Sequence, residues 1–273
     1  MNWPVFFKRT GSAVIYVAVM LGGLMWEHPW AVLVLAALLQ FLSIKEFFKI
    51  SDLIFPNPNS NKISFWLAVV VSAFLIVAMV LKDALIYQLL VLVPITLFLW
   101  TALSKKNILS QTLTCLLAIL YIGLPLAMMV DLRNYAMILP VGILVLIWVN
   151  DTMAYIVGSF IGKTPFTSIS PKKTIEGTVG GIVFTMLIAW LFGTYLQDFL
   201  AAIHWMIIGG IVAITGTLGD LVESQMKRKA GIKDSGNILP GHGGALDRLD
   251  SILAVMPFVY VYFHWFAFPL IQG

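Results

Sequence analysis

One cysteine in 273 residues, Cys115, lies inside an apolar run, so the chain can form no intrachain disulfide and no thiolate metal site. Charge is also scarce: Asp, Glu, Lys and Arg make up 11% of the residues, under half of the roughly 25% that a water-facing surface carries. That deficit excludes an ordinary soluble domain. There is no low-complexity tract and no duplicated half, so the internal repeat typical of many transporters is missing. Apolar side chains take the place of charge, at 60% hydrophobic residues and a mean hydropathy of +0.95, and such a surface faces lipid.

Apolar stretches of bilayer-crossing length, roughly 17 to 25 residues, recur throughout. About nine spans are expected: 12–27, 29–48, 63–81, 84–103, 108–130, 135–158, 177–197, 202–222 and 251–270. Backbone N–H and C=O groups cannot go unpaired in hydrocarbon, so each span must be a helix and the fold an all-α, polytopic membrane protein. The first run follows Lys8 and Arg9 as a signal peptide would. It ends in Trp26, Glu27 and His28 with no small-x-small cleavage pattern, so it is expected to be a retained first span.

A net charge of +4 and a pI near 9.1 could suggest nucleic acid, but the basic residues sit in short clusters between apolar runs, so none is expected as a partner. With nine spans, 15 of the 17 basic residues fall on one side, leaving Lys82 and Arg133 opposite. The positive-inside rule makes the rich side cytoplasmic, with the N-terminus in and the C-terminus out, in a bacterial plasma membrane. Residues 1–134 then form about five N-terminal spans. Residues 135–273 form a C-terminal region of about four, with longer cytoplasmic loops at 159–176 and 223–250. Chemistry is expected on the cytoplasmic face of this second half.

The segment Gly219–Ser251 holds Asp220, Glu223, Asp234, Asp247 and Asp250, five of the 13 acidic residues, with five basic residues and His242. Mixed charge of this kind often marks no more than a solvated face. If the eighth helix continues to about Lys227, however, Asp220, Glu223 and Lys227 share one face. Asp247 and Asp250 stand at i, i+3 at the start of the last helix, where either could also be an N-cap. Carboxylates at two helix ends suit Mg²⁺, which takes oxygen ligands and keeps substrate phosphate in its shell. Lys227, Arg228 and Lys233 lie among Gly231, Gly236, Gly241, Gly243 and Gly244, a combination that suits nucleotide phosphates.

In the other loop, Ser170 and Pro171 read as N-cap and N1 of the seventh span, which would put Lys172 and Lys173 in its first turn unless they serve only as cytoplasmic anchors. Cations there oppose the helix dipole unless an anion sits between them, and Glu176 could pair with them. Asn150 and Asp151 lie inside the sixth run, about 10 Å from its end. A carboxylate at that depth is a functional candidate, the alternative being a structural hydrogen bond. Gly209, Gly210, Gly216 and Gly219 are expected to allow close helix packing.

The stretch SQMKRKAGIKDSGNILPGHGGALDRLD, Ser224–Asp250, resembles the signature of phosphatidate cytidylyltransferases: S-x-x-K-R, K-D, P-x-H-G-G and D-R-x-D at matching spacings. NDTMAY at Asn150, GKT at Gly162, SPKKTIEG at Ser170 and GDLVES at Gly219 are similar to the same family, whereas the first five spans match only as generic apolar helices. Ala245 stands where the family usually has a larger aliphatic residue. The resemblance implies that CTP and phosphatidate give CDP-diacylglycerol and pyrophosphate with Mg²⁺, at the cytoplasmic face of the bilayer. It implies Asp220 and Asp247 as metal ligands, with Asp250 and Glu223 nearby. It gives Lys227, Arg228, Lys233, Arg248 and His242 to phosphate or leaving-group contacts, and Ser170, Lys172 and Lys173 to the far side of the cleft. Ser224, Asp234, Gly243, Gly244 and Asp151 join the substrate-binding set.

Two rivals stand beside it. A transporter or channel would place polar residues mid-span, whereas here they gather at one edge; a CTP-dependent polyprenol or phytol kinase, or an archaeal-type CDP-lipid synthase, would share the setting. Oligomeric state, a homodimer included, is left open by the sequence.

Overall fold

The computed structural model describes residues 3–56, 62–82, 84–103, 109–238 and 243–267. Among them the regular backbone is helical: α1 Trp3–Met25, α2 Pro29–Ile54, α3 Lys62–Leu81, α4 Ala84–Leu103, α5 Leu109–Ala118, α6 Leu124–Tyr135, α7 Ile138–Ile161, α8 Ile175–Tyr195, α9 Ala202–Lys229 and α10 Leu246–Tyr262. π-Helical turns at Ile119–Gly123 and Phe263–Ala267 join α5 to α6 and extend α10. Among the described residues seven helical stretches are long and apolar enough to cross a bilayer; Thr10–Met25 and Leu92–Leu103 are shorter apolar segments. The outward faces carry Val14, Phe74, Val183 and Trp265, while Ser43, Ser72 and Thr185 are buried. Small polar residues inside and large apolar ones outside are what lipid as solvent selects. The expected all-α polytopic class is the observed one.

The chain divides into two compact units, Met1–Ala136 with Lys229–Leu249, and Met137–Arg228 with Asp250–Gly273. The segment Lys229–Leu249, grouped by sequence with the C-terminal spans, thus clusters with the first unit.

In the first unit α3 packs against α6, α2 and the π-helical turn. The turn has a covalent cause. Pro125, near the start of α6, has no N–H for the carbonyl of Tyr121, and the ladder widens so that Leu124 N–H reaches Ile119 O. Gln40 Nε2 donates to Gly123 O at 3.4 Å. Lys82 and Arg133, the two basic residues outside the positive-inside pattern, are both fixed by local contacts. Arg133 donates from Nε to Leu24 O at 3.3 Å and from Nη2 to Trp26 O, a cation at the C-terminal end of α1. Lys82, the residue after α3, donates to the Tyr135 hydroxyl at 2.6 Å and lies 3.8 Å from Asp131.

In the second unit α7 and α8 pack backbone to backbone through glycines. A Cβ at Gly177 would stand 2.6 Å from Ala154 O and 3.0 Å from Gly158 Cα; one at Gly181 would stand 2.9 Å from Asn150 O. Of the glycines expected to pack α9, Gly209 lies against Ala189 and Gly219 against Ala254 and the Asp250 backbone. Gly216 makes only ordinary contacts, and Gly210 meets nothing within 4 Å. Gly177→Val is therefore expected to lower stability by about 1–3 kcal/mol or more, because backbone cannot rotate away. Gly210→Ala should stay within about 0.5 kcal/mol of wild type in thermal unfolding.

Three local expectations are corrected. α8 starts at Ile175, with Thr174 as its N-cap accepting from Gly177 N–H at 3.1 Å, so Ser170 and Pro171 do not cap it. The Lys172–Lys173 stretch instead belongs to a short hairpin, in which Phe166 N–H donates to Lys173 O at 2.8 Å and Ile175 N–H to Thr164 O at 2.9 Å. Glu176 turns to the other arm of the hairpin rather than to the lysines: it accepts from Lys163 N–H at 3.1 Å and from the Thr164 hydroxyl at 2.9 Å. The polar loops are shorter than expected because α7 continues to Ile161, α9 to Lys229, and α10 begins at Leu246. Residues 223–229 are mostly polar yet mostly good helix formers, so the end of an apolar run does not end the helix.

Candidate functional site

In the second unit, α7, the hairpin, α8 and α9 surround a cavity of about 410 Å³, within the size range of small-molecule sites. Its lining includes Asp151, Lys172, Lys173, Thr174, Thr217 and Asp220. Asn150, also on the wall, donates to Thr217 Oγ1 at 3.4 Å, while its buried Oδ1 has no hydrogen-bond partner among the described residues. The hairpin brings Lys173 to Asp220 on α9, where the two form an ion pair with both side chains about 30% exposed. Ser224 Oγ, one turn on, donates to Asp220 Oδ1 at 3.3 Å. A further turn along, Lys227 pairs with the fully buried Glu223 at 3.3 Å. The one face expected of Asp220, Glu223 and Lys227 is thus formed by α9.

Asp250, near the start of α10, completes the group, close enough to Asp220 and Asp151 for their charges to act on it. Four carboxylates of the second unit, from α7, α9 and α10, therefore share one neighbourhood with Lys173 and Lys227 as cations. Like charges drawn together where water is scarce are costly unless cations or protons balance them. Arg228, at the far end of the same helix, is exposed, and Ser170 accepts the Lys173 N–H at 3.0 Å within the hairpin.

The remaining candidates fall in the first unit. Asp247 Oδ2 accepts from Ser235 N–H at 2.8 Å, Ser235 Oγ at 2.9 Å and Gly244 N–H at 2.8 Å. Gly243 is held at φ +83°, a conformation that glycine adopts without strain. Arg248 gives its carbonyl to the Tyr16 hydroxyl at 3.0 Å, and its buried Nε has no acceptor among the described residues. Lys233 and Asp234 are exposed. His242 lies outside the described residues.

The residue that sequence reasoning missed is Glu46, buried on α2. It accepts from Ser235 Oγ at 2.7 Å, Ala245 N–H at 3.1 Å and Leu246 N–H at 2.9 Å, capping α10 from a distant helix. The available signal was a lone glutamate inside an apolar run. Its neighbours Lys45 and Lys49 drew attention instead as topology markers.

A cytidylyltransferase family model matches residues 7–266. A phosphatidate cytidylyltransferase of Staphylococcus saprophyticus is 33% identical over 93% of this chain and 97% of its own length. One from Bacillus subtilis is 45% identical over 53% of this chain, a match that spans about half, 55%, of that relative. One from Staphylococcus aureus is 40% identical over 59% of this chain and 63% of its own. With the family model spanning nearly every residue and a relative one-third identical from end to end, this chain belongs to the cytidylyltransferase family.

Proposed function

We propose that this chain condenses CTP with phosphatidate to give CDP-diacylglycerol and pyrophosphate in phospholipid synthesis. A phosphate oxygen of phosphatidate forms the new bond to the α-phosphorus of CTP, the bond from that phosphorus to the bridging oxygen breaks, and pyrophosphate leaves with the electron pair. The substrate is its own nucleophile, so the protein need only align the two phosphates and balance their charge. The observation that carries this reading is the meeting of Lys172, Lys173, Asp151 and Asp220 on one pocket beside the bilayer-crossing helices. Lys173 is placed to exchange Asp220 for a phosphate oxygen, and exposed Lys172 to meet a phosphate at the rim.

We further propose Mg²⁺ as the cofactor. The oxygen-only donors around Asp220, with Asp250 and Asp151 beside it, fit a hard cation. Among the described residues no three His, Cys, Asp or Glu side chains form a ready coordination shell, which is compatible with an ion bound through one or two carboxylates and substrate phosphate. Held at Asp220, it would neutralise charge on the triphosphate. The distribution of basic residues supports nine spans, a cytoplasmic N-terminus and a cytoplasmic active site in the cell membrane.

The test supplies purified protein with Mg²⁺, CTP labelled at either the α- or the γ-phosphate, and phosphatidate or a polyprenol as acceptor. Cytidylyl transfer puts the α-label into lipid with one pyrophosphate per turnover. Transfer of the γ-label to a polyprenol, with none of the α-label in phosphatidate, would establish the kinase instead.

A further inference from the structure

The first unit contains a second polar cavity, of about 490 Å³, lined by residues of α2, α3 and α5. None of these residues has a place in the chemistry above. Its cations are Lys45 and Lys49, one turn apart on α2, and Lys62, the first residue of α3. All three are exposed, and none forms an ion pair among the described residues. Asp52 is the one acid in the lining, against three lysines. The wall between them is hydroxylic: Ser51 Oγ and Thr114 Oγ1 share a hydrogen bond at 2.6 Å, and Gln111 is buried beside them.

The rest of the lining is aromatic. Phe65 meets Phe48 edge-on at 5.6 Å between centroids and Phe41 at 6.0 Å. A lysine that serves only as a topology marker needs no cavity, since it snorkels into water. A cavity with three cations and hydroxyls on one side and a phenylalanine cluster on the other fits an amphipathic anion. Basic pockets between membrane helices are a recognised form of acidic-lipid site.

We propose that this cavity binds the phosphate of an anionic glycerophospholipid, with the glycerol and upper acyl carbons against Phe41, Phe48 and Phe65. The lipid's phosphodiester bridges Lys45, Lys49 and Lys62, and the Ser51–Thr114 pair offers it a hydroxyl donor. No residue of this cavity belongs to the lysine–aspartate pocket of the second unit, and the lipid is proposed here as a bound ligand rather than a reacting one.

The experiment titrates full-length wild type in neutral detergent with phosphatidylglycerol, phosphatidylcholine or inorganic phosphate and follows thermal unfolding. A Lys45→Gln/Lys49→Gln/Lys62→Gln variant and the corresponding triple Arg variant are titrated in parallel. Phosphatidylglycerol should raise the unfolding temperature of wild type and phosphatidylcholine should not. The triple Gln variant should need about tenfold or more lipid for the same shift, because the cations that attract the anionic headgroup are gone. The triple Arg variant should respond as wild type, which separates lost charge from lost fold. Equal shifts in wild type and triple Gln, or an equal response to phosphatidylcholine, would overturn the proposal. Inorganic phosphate reproducing the whole effect would make the site an ion site and overturn the lipid assignment. Cytidylyl transfer by the Gln variant at saturating phosphatidate should stay within about twofold of wild type. Loss of that activity together with an unchanged lipid response would count against a separate lipid site, whatever becomes of the proposed reaction.

Discussion

Asp220→Asn should lower kcat for CDP-diacylglycerol formation by about 10²–10³-fold while leaving the protein folded, because charge placed for a developing transition state is worth about 3–4 kcal/mol. The magnitudes separate this outcome from a structural one. As a structural pair, Lys173 and Asp220 are partly exposed, and such a pair contributes at most about 1 kcal/mol to stability. A large activity loss beside a small change in unfolding temperature therefore marks the carboxylate as functional. Lys173→Gln should also be impaired. Because the two residues act on one pocket, the double variant should be less impaired than the product of the single effects, measured as kcat/KM in a double-mutant cycle. Full multiplicativity, or an Asn variant with wild-type turnover, would remove Asp220 from the site.

Glu46→Ala is expected to act through structure. It strips the acceptor from two buried backbone N–H groups, each costing about 1–3 kcal/mol when unsatisfied, while the Ser235 hydroxyl keeps Asp247 Oδ2 as its acceptor. Losing even half of that sum loosens the Lys229–Leu249 segment. Trypsin should then cut after Lys229 and Lys233 faster than in wild type, and the unfolding temperature should fall. Glu46→Gln tests the mechanism: it keeps the volume but sets an amide N–H₂ among donors, so it should recover little. An undisturbed cleavage pattern in both variants would show that the segment stands without this anchor.

Much of the fold was legible because lipid imposes a simple rule. Long apolar runs must be helices, and among the described residues seven of the nine runs anticipated from hydropathy are helical stretches long and apolar enough to cross a bilayer, the first and fourth being shorter apolar segments. Helix ends were less legible because hydropathy reports where the bilayer stops rather than where hydrogen bonding stops. α9 continues through Glu223, Lys227 and Lys229, good helix formers joined by an i,i+4 ion pair. The Ser170–Pro171 pair looked like a helix start, but the hairpin uses the Lys173 and Thr174 backbone, and a pairing between Pro165 and Thr174 is invisible to local pattern. At the site, the signature pointed to α9 and to the start of α10. The grouping of Asp151 with Lys173 and Asp220 depends on helix packing permitted by Gly177 and Gly181, which no single motif encodes. Glu46 was illegible for the same reason, its partners lying about 190 to 200 residues away.

That separation has a bearing on how the chain is made. Glu46 and Leu246 are 200 residues apart, so at about 5–20 residues per second a ribosome needs some 10 to 40 s after making the glutamate before its last partner exists. For that interval α2 sits with a carboxylate that nothing in its own unit yet satisfies. The early helices can insert, but their unit cannot close until the Lys229–Leu249 segment emerges. Closure of the first unit is thus timed by residues translated 200 positions after the glutamate.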